Sequence, residues 1–84
     1  MTNSSIPAAS HYTQALAAIL AALTDCNVRI RQLAFTDDFL TLEYTYGSER
    51  LAHTTEEGDV VIDGQPTRRM RGLIEAHAAL YYCG

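Results

Sequence analysis

The sequence predicts an α+β fold: a two-layer sandwich in the order α-β-β-β-α, with an antiparallel sheet of three strands, or four, and both helices on one face. Three observations predict it. The chain begins and ends with apolar residues at helical spacing. Between them lie two runs that alternate apolar and polar. Short turn signals separate the runs. At 84 residues the chain makes one domain, 1–84, with residues 1–6 expected to be a disordered tail.

The first helix follows from Tyr12, Leu16, Ile19, Leu20 and Leu23, which fall on one stripe. Pro7 or Ser10 can start it, and it runs to Thr24. Asn27 suits a left-handed residue after its end. The back of this helix carries Ala17, Ala18, Ala21 and Ala22, either as plain helix formers or as a smooth face for another helix.

The next runs are Val28–Phe35 and Phe39–Tyr46, joined at Thr36–Asp38. A three-residue turn there sets a register in which Val28 faces Tyr46, Ile30 faces Tyr44, Arg31 faces Glu43, Gln32 faces Leu42, Ala34 faces Leu40 and Phe35 faces Phe39. One sheet face then reads Val28, Ile30, Ala34, Leu40, Leu42, Tyr44 and Tyr46. The other reads Arg29, Arg31, Thr41, Glu43 and Thr45, with Leu33, Phe35 and Phe39 at one end. A slip by one residue would mix the two sets, so the pattern supports the register.

Gly47-Ser48 is a tight turn into a third strand over Glu49–Thr54. There Leu51 should face Tyr44 and His53 should face Leu42 on the inner side, with Arg50 on the outer side beside Thr45. Val60–Ile62 reads as a fourth strand or as an approach to the last helix, and three long strands fit the pattern best. The count decides helix direction: three strands make the helices parallel, four make them antiparallel. Pro66 or Thr67 starts the second helix, whose stripe is Met70, Leu73, Ile74, His77 and Tyr81.

Net charge is −4, which opposes general binding to nucleic acid or anionic membrane, since both need a positive field. The longest apolar run, Ala15–Leu23, is nine residues, against about 20 for a membrane span. A cytoplasmic protein is expected. Cys26 and Cys83 are too few for a disulfide scaffold.

No phosphate-binding glycine motif, nucleophile elbow or zinc spacing occurs, so no catalysis, cofactor or metal site is expected. His53 and His77 both point toward the predicted core and could meet there. The acidic residues Asp37, Asp38, Glu56, Glu57, Asp59 and Asp63 sit in turns, where such residues bend and cap the chain.

Two surfaces stand out. The first is the outer sheet face, with Arg29, Arg31, Leu33, Phe35, Phe39, Glu43 and Arg50. Arginine and aromatic residues together are what interface centres favour; the plainer reading is an ordinary Arg31–Glu43 cross-strand pair. The second is Arg68, Arg69 and Arg71 in the first turn of the last helix, where cations oppose the helix dipole. They are either a solvated surface paired with Glu75 and the acidic turns, or an anion grip. The sequence therefore points to a small protein that acts by binding another protein or itself as a homodimer, in the manner of a chaperone, a regulator or a phage inhibitor. Anion or nucleic-acid binding through the second cluster is the alternative.

Overall fold

A computed structural model of the chain describes residues 7–35 and 40–83, with side chains described for 11–33 and 40–82. The expected tail at 1–6, the turn at 36–38 and Phe39 lie outside them. The elements are α1 (Pro7–Asp25), β1 (Val28–Phe35), β2 (Leu40–Tyr46), β3 (Glu49–Thr54), β4 (Val60–Ile62) and α2 (Arg68–Cys83). The strands form one antiparallel sheet in the order β1-β2-β3-β4, and both helices lie on one face of it.

Local chemistry sets the boundaries. Asn27 adopts φ 62° just after α1, and its amide donates to the Thr24 carbonyl at 2.9 Å, closing the helix end. Gly47 has φ 62° at the first position of the two-residue turn between β2 and β3, where a type II′ turn needs glycine. Thr67 caps α2: its hydroxyl accepts from the Met70 amide at 3.2 Å and its carbonyl from the Arg71 amide at 2.9 Å.

The core lies between the helices and the inner sheet face. It contains Leu23 of α1, Val28 of β1, Leu42 and Tyr44 of β2, Leu51 and Ala52 of β3 and Ile74 of α2. Full burial of each large apolar side chain contributes roughly 1.5–3 kcal/mol. The α2 stripe is turned slightly from the expected one. Ile74, His77 and Ala78 are buried, while Tyr81 is exposed and Tyr82 packs on the core in its place. On α1 the buried strip is narrow: Leu23 is buried, Leu16 and Ile19 are half-buried, and Leu20 is 38% exposed. Tyr46, expected inside, is exposed at the end of its strand beside the Gly47-Ser48 turn.

Val60–Ile62 does pair, with Thr54, His53 and Ala52, so the sheet has four strands and not the three that the pattern favoured. The helices run antiparallel as a result. Tyr12 near the start of α1 donates its hydroxyl to the Leu80 carbonyl near the end of α2, at 2.9 Å.

Two irregularities move the register. From Val28↔Tyr46 to Gln32↔Leu42 the β1–β2 pairing is the expected one. Beyond Gln32 a bulge intervenes, and Phe35 pairs with Leu40 instead of Phe39. The pairing of Ala34 with Leu40 is lost with it. The second bulge lies on β3. Thr45 pairs with Arg50 but Tyr44 pairs with Ala52, so Leu51 is the extra residue. Leu51 therefore does not face Tyr44, and every residue after it changes sides. His53 comes opposite Glu43 on the outer face, not opposite Leu42 inside.

Candidate protein-interaction face

The outer sheet face carries a charged row built by strand pairing. Arg31 of β1 stands opposite Glu43 of β2, Glu43 opposite His53 of β3, and His53 opposite Val61 of β4. Arg29, Thr45 and Arg50 make a second row beside it. Neither helix covers this face, because both pack on the side of Leu42 and Tyr44.

The charges form a chain of contacts. Arg31 Nη1 lies 3.2 Å from Glu43 Oε1, Arg50 Nη1 lies 3.8 Å from Glu43 Oε2, and Arg50 Nη2 lies 2.7 Å from Asp63 Oδ2. His53 Nδ1 lies 2.9 Å from the same Asp63 oxygen. The Glu43 side chain is only 13% exposed, while that of Arg31 is 68% exposed. Glu43 Oε1 is buried and the nearby Arg31 nitrogen is not aligned to hydrogen-bond it. The carboxylate is thus held by flanking guanidinium charge more than by directed bonds.

Asp63 reaches this network through the β3 bulge. The amides of Asp63 and Gly64 both donate to the Leu51 carbonyl, at 3.2 and 3.1 Å. Gly64 lies so close to β3 that an added Cβ would stand 2.3 Å from the Arg50 carbonyl oxygen. Only glycine permits that approach. The bulge and the glycine together set Asp63 between Arg50 and His53.

Of the residues expected on this face, Arg29, Arg31, Glu43 and Arg50 are brought together. Leu33 is exposed. The side chains of Phe35 and Phe39 lie outside the described residues. His53, Asp63 and Val61 belong to the face but were not expected there. The signal for them was the adjacent apolar pair Leu51-Ala52, which breaks the alternation of β3 and marks the bulge.

The second arginine cluster is separate. Arg68, Arg69 and Arg71 are all exposed at the start of α2. Arg71 Nε lies 3.6 Å from Glu75 Oε2, one turn on. Arg68 and Arg69 make no ion pair among the described residues.

The two histidines that could have met lie on opposite faces. His77 is buried at 5% exposure, and its Nδ1 is 2.8 Å from the hydroxyl of the fully buried Tyr44. Burial holds the Tyr44 hydroxyl well above the usual tyrosine pKa, with Tyr82 and Tyr81 adding to the effect, so it keeps its proton and donates. Burial lowers the pKa of His77, which accepts as the neutral ring. This pair fastens α2 to β2 inside the core. A second tie lies nearby. The Leu42 amide donates to Thr54 Oγ1 at 2.8 Å, Thr54 donates to the Tyr82 hydroxyl at 3.0 Å, and Tyr82 donates to the Leu40 carbonyl.

Among the described residues, no group of three or more His, Cys, Asp or Glu side chains could hold a metal ion, and no helix is long and apolar enough to cross a membrane. No protein-family model, no curated protein and no solved structure matches the chain.

Proposed function

We propose that this chain is a small non-catalytic interaction module of the cytoplasm that works as a homodimer, with the open sheet face as the contact between copies. The observation that carries this reading is the row Arg31–Glu43–His53–Val61, with Arg50 and Asp63 beside it, on the sheet face that neither helix covers. Guanidinium groups of Arg31 and Arg50 stand beside the carboxylates of Glu43 and Asp63, so a copy related by a two-fold axis can set its carboxylates against guanidinium groups. Leu33 and Val61 supply apolar surface at the margins, both exposed. Strand spacing and rise give the face a footprint of roughly 20 by 20 Å, toward the small end of specific interfaces. The association is accordingly expected to be weak, with a dissociation constant on the order of micromolar or above.

Sedimentation equilibrium from low micromolar to several hundred micromolar protein tests this. A mass rising from monomer to dimer is expected, and Leu33→Asp or Val61→Asp should hold the chain at the monomer mass. Both positions are exposed, so neither change opens the core. A monomer mass at every concentration, or dimers that persist in both variants, removes the reading. The exposed Arg68 and Arg69 favour a second reading, anion or nucleic-acid binding, which a gel shift with RNA or DNA at low salt checks.

A further inference from the structure

The long edge of the sheet offers a different surface. β1 spans eight residues, and β2 is its one neighbour among the described strands. The backbone groups along its other side therefore face outward, ready to pair with an added strand. The opposite edge, β4, has three residues. Beside the first half of β1 runs an open groove of about 460 Å³, bounded by the last turns of α1. Leu20, Leu23, Val28, Arg29 and Ile30 line it.

The alternation of β1 dictates what fits. Val28 and Ile30 turn toward the helices, and Arg29 and Arg31 lie on the outer face. A strand laid along this edge obeys the same alternation. Its inward residues enter the groove against Leu20, Leu23 and Ile30. Its outward residues lie beside Arg29 and Arg31. Arg29 makes no ion pair among the described residues, and Arg31 is largely exposed while touching Glu43. The edge thus favours apolar and acidic residues in turn. A second copy of β1 is a poor occupant. Antiparallel pairing about Ile30 would set Arg29 of each copy against Arg31 of the other, and like charges directly opposite repel. The bulge after Gln32 ends the regular edge, so about five residues, Val28–Gln32, are available.

We propose that the β1 edge is a strand-addition site for an extended segment of a partner protein in which acidic and apolar residues alternate. The apolar side chains fill the groove beneath α1 and the carboxylates meet Arg29 and Arg31. This goes beyond the homodimer, since surface and occupant both differ.

The test uses the full chain and three labelled eight-residue peptides with blocked ends. One alternates Asp and Val, one alternates Lys and Val, and the third is the Asp-Val peptide with every backbone amide methylated. Fluorescence anisotropy at low salt reads binding. The Asp-Val peptide is expected to bind about tenfold or more tighter than the Lys-Val peptide. Backbone methylation should abolish binding, because it removes the donors a strand needs. Leu20→Lys should weaken binding about fivefold or more by placing charge in the groove. The double change Arg29→Glu with Arg31→Glu should reverse the preference toward Lys-Val. All three positions are exposed, so these variants keep the fold. Leu33→Asp should bind the Asp-Val peptide unchanged, which separates this site from the sheet-face dimer. Equal binding of the two charge patterns, or none at about millimolar peptide, overturns the proposal. So does binding that survives methylation, or a dimer that Leu20→Lys dissolves.

Discussion

Acidifying the solution should loosen this fold through His77. The ring is 5% exposed and accepts a hydrogen bond from Tyr44. Tyr44 and Tyr81 are its aromatic neighbours, with ring centroids at 5.6 and 6.0 Å. No carboxylate contacts it among the described residues. An imidazolium there is desolvated and has no counter-charge, which is why burial lowers its pKa. In the unfolded chain the same ring titrates near its ordinary value of about 6.5. Between that value and the lower native one, the unfolded state binds one more proton than the native state. Stability is therefore complete above about pH 7.5 and falls as pH drops below about 6.5, by up to about 1.4 kcal/mol for each pH unit inside that window. A domain of this size holds roughly 4–13 kcal/mol in total, so one such unit is a measurable share. Urea unfolding at several pH values between 5 and 8 reads the effect, staying above the range where carboxylates titrate. His77→Gln supplies the control. Its amide oxygen can still accept from Tyr44 but takes up no proton, so its stability should vary far less with pH over that range. An acid slope in His77→Gln equal to that of the native chain would refute the reasoning.

Three further outcomes follow from the geometry. Gly64→Ala places a carbon 2.3 Å from the Arg50 carbonyl oxygen, so β3 or the following segment must shift; a loss of about 2–4 kcal/mol is expected in urea unfolding, and a loss under about 0.5 kcal/mol would contradict the contact. Tyr82→Phe removes the hydroxyl that links Thr54 to the Leu40 carbonyl and should cost about 1–3 kcal/mol by the same assay, with unchanged stability as the contrary result. If the second reading of function holds, a gel shift with RNA or DNA at low salt should appear and then weaken on replacing Arg68, Arg69 and Arg71 by Ala. The net charge of −4 leads us to expect no shift in the native chain.

Much of the fold was legible because alternation and helical spacing are strong signals where one face is buried. The pairing of Val28 with Tyr46 through Gln32 with Leu42 came from that pattern. The left-handed Asn27 followed from its residue type, and of the two helix starts, Pro66 or Thr67, the hydrogen bonds single out Thr67. The bulges were harder to read. Counting by twos along β3 carries His53 inward, and the single extra residue Leu51 sends it outward. Asp63 looked like a turn residue because its role depends on Gly64 resting against β3, a contact remote from its own neighbours in sequence. The strand count was equally obscure. Val60–Ile62 is too short to announce a partner, and whether it pairs depends on where the Glu56–Asp59 turn returns the chain. The candidate face was thus half visible: its arginines and Glu43 followed from β1 and β2, and its histidine and second carboxylate came from irregular backbone.

An even number of strands brings the chain home to the side it left. The opening turns of α1 and the closing turns of α2 lie side by side, tied by Tyr12 and Leu80. Leu20, the α1 residue of the β1 groove nearest that seam, is eight residues from Tyr12 along α1, or about 12 Å. A flexible loop could splice the two helix ends together, and new termini could be cut at Gly47-Ser48, giving a circular permutant with every helix and strand intact. A fluorophore or surface anchor attached near that seam would stand well clear of the groove.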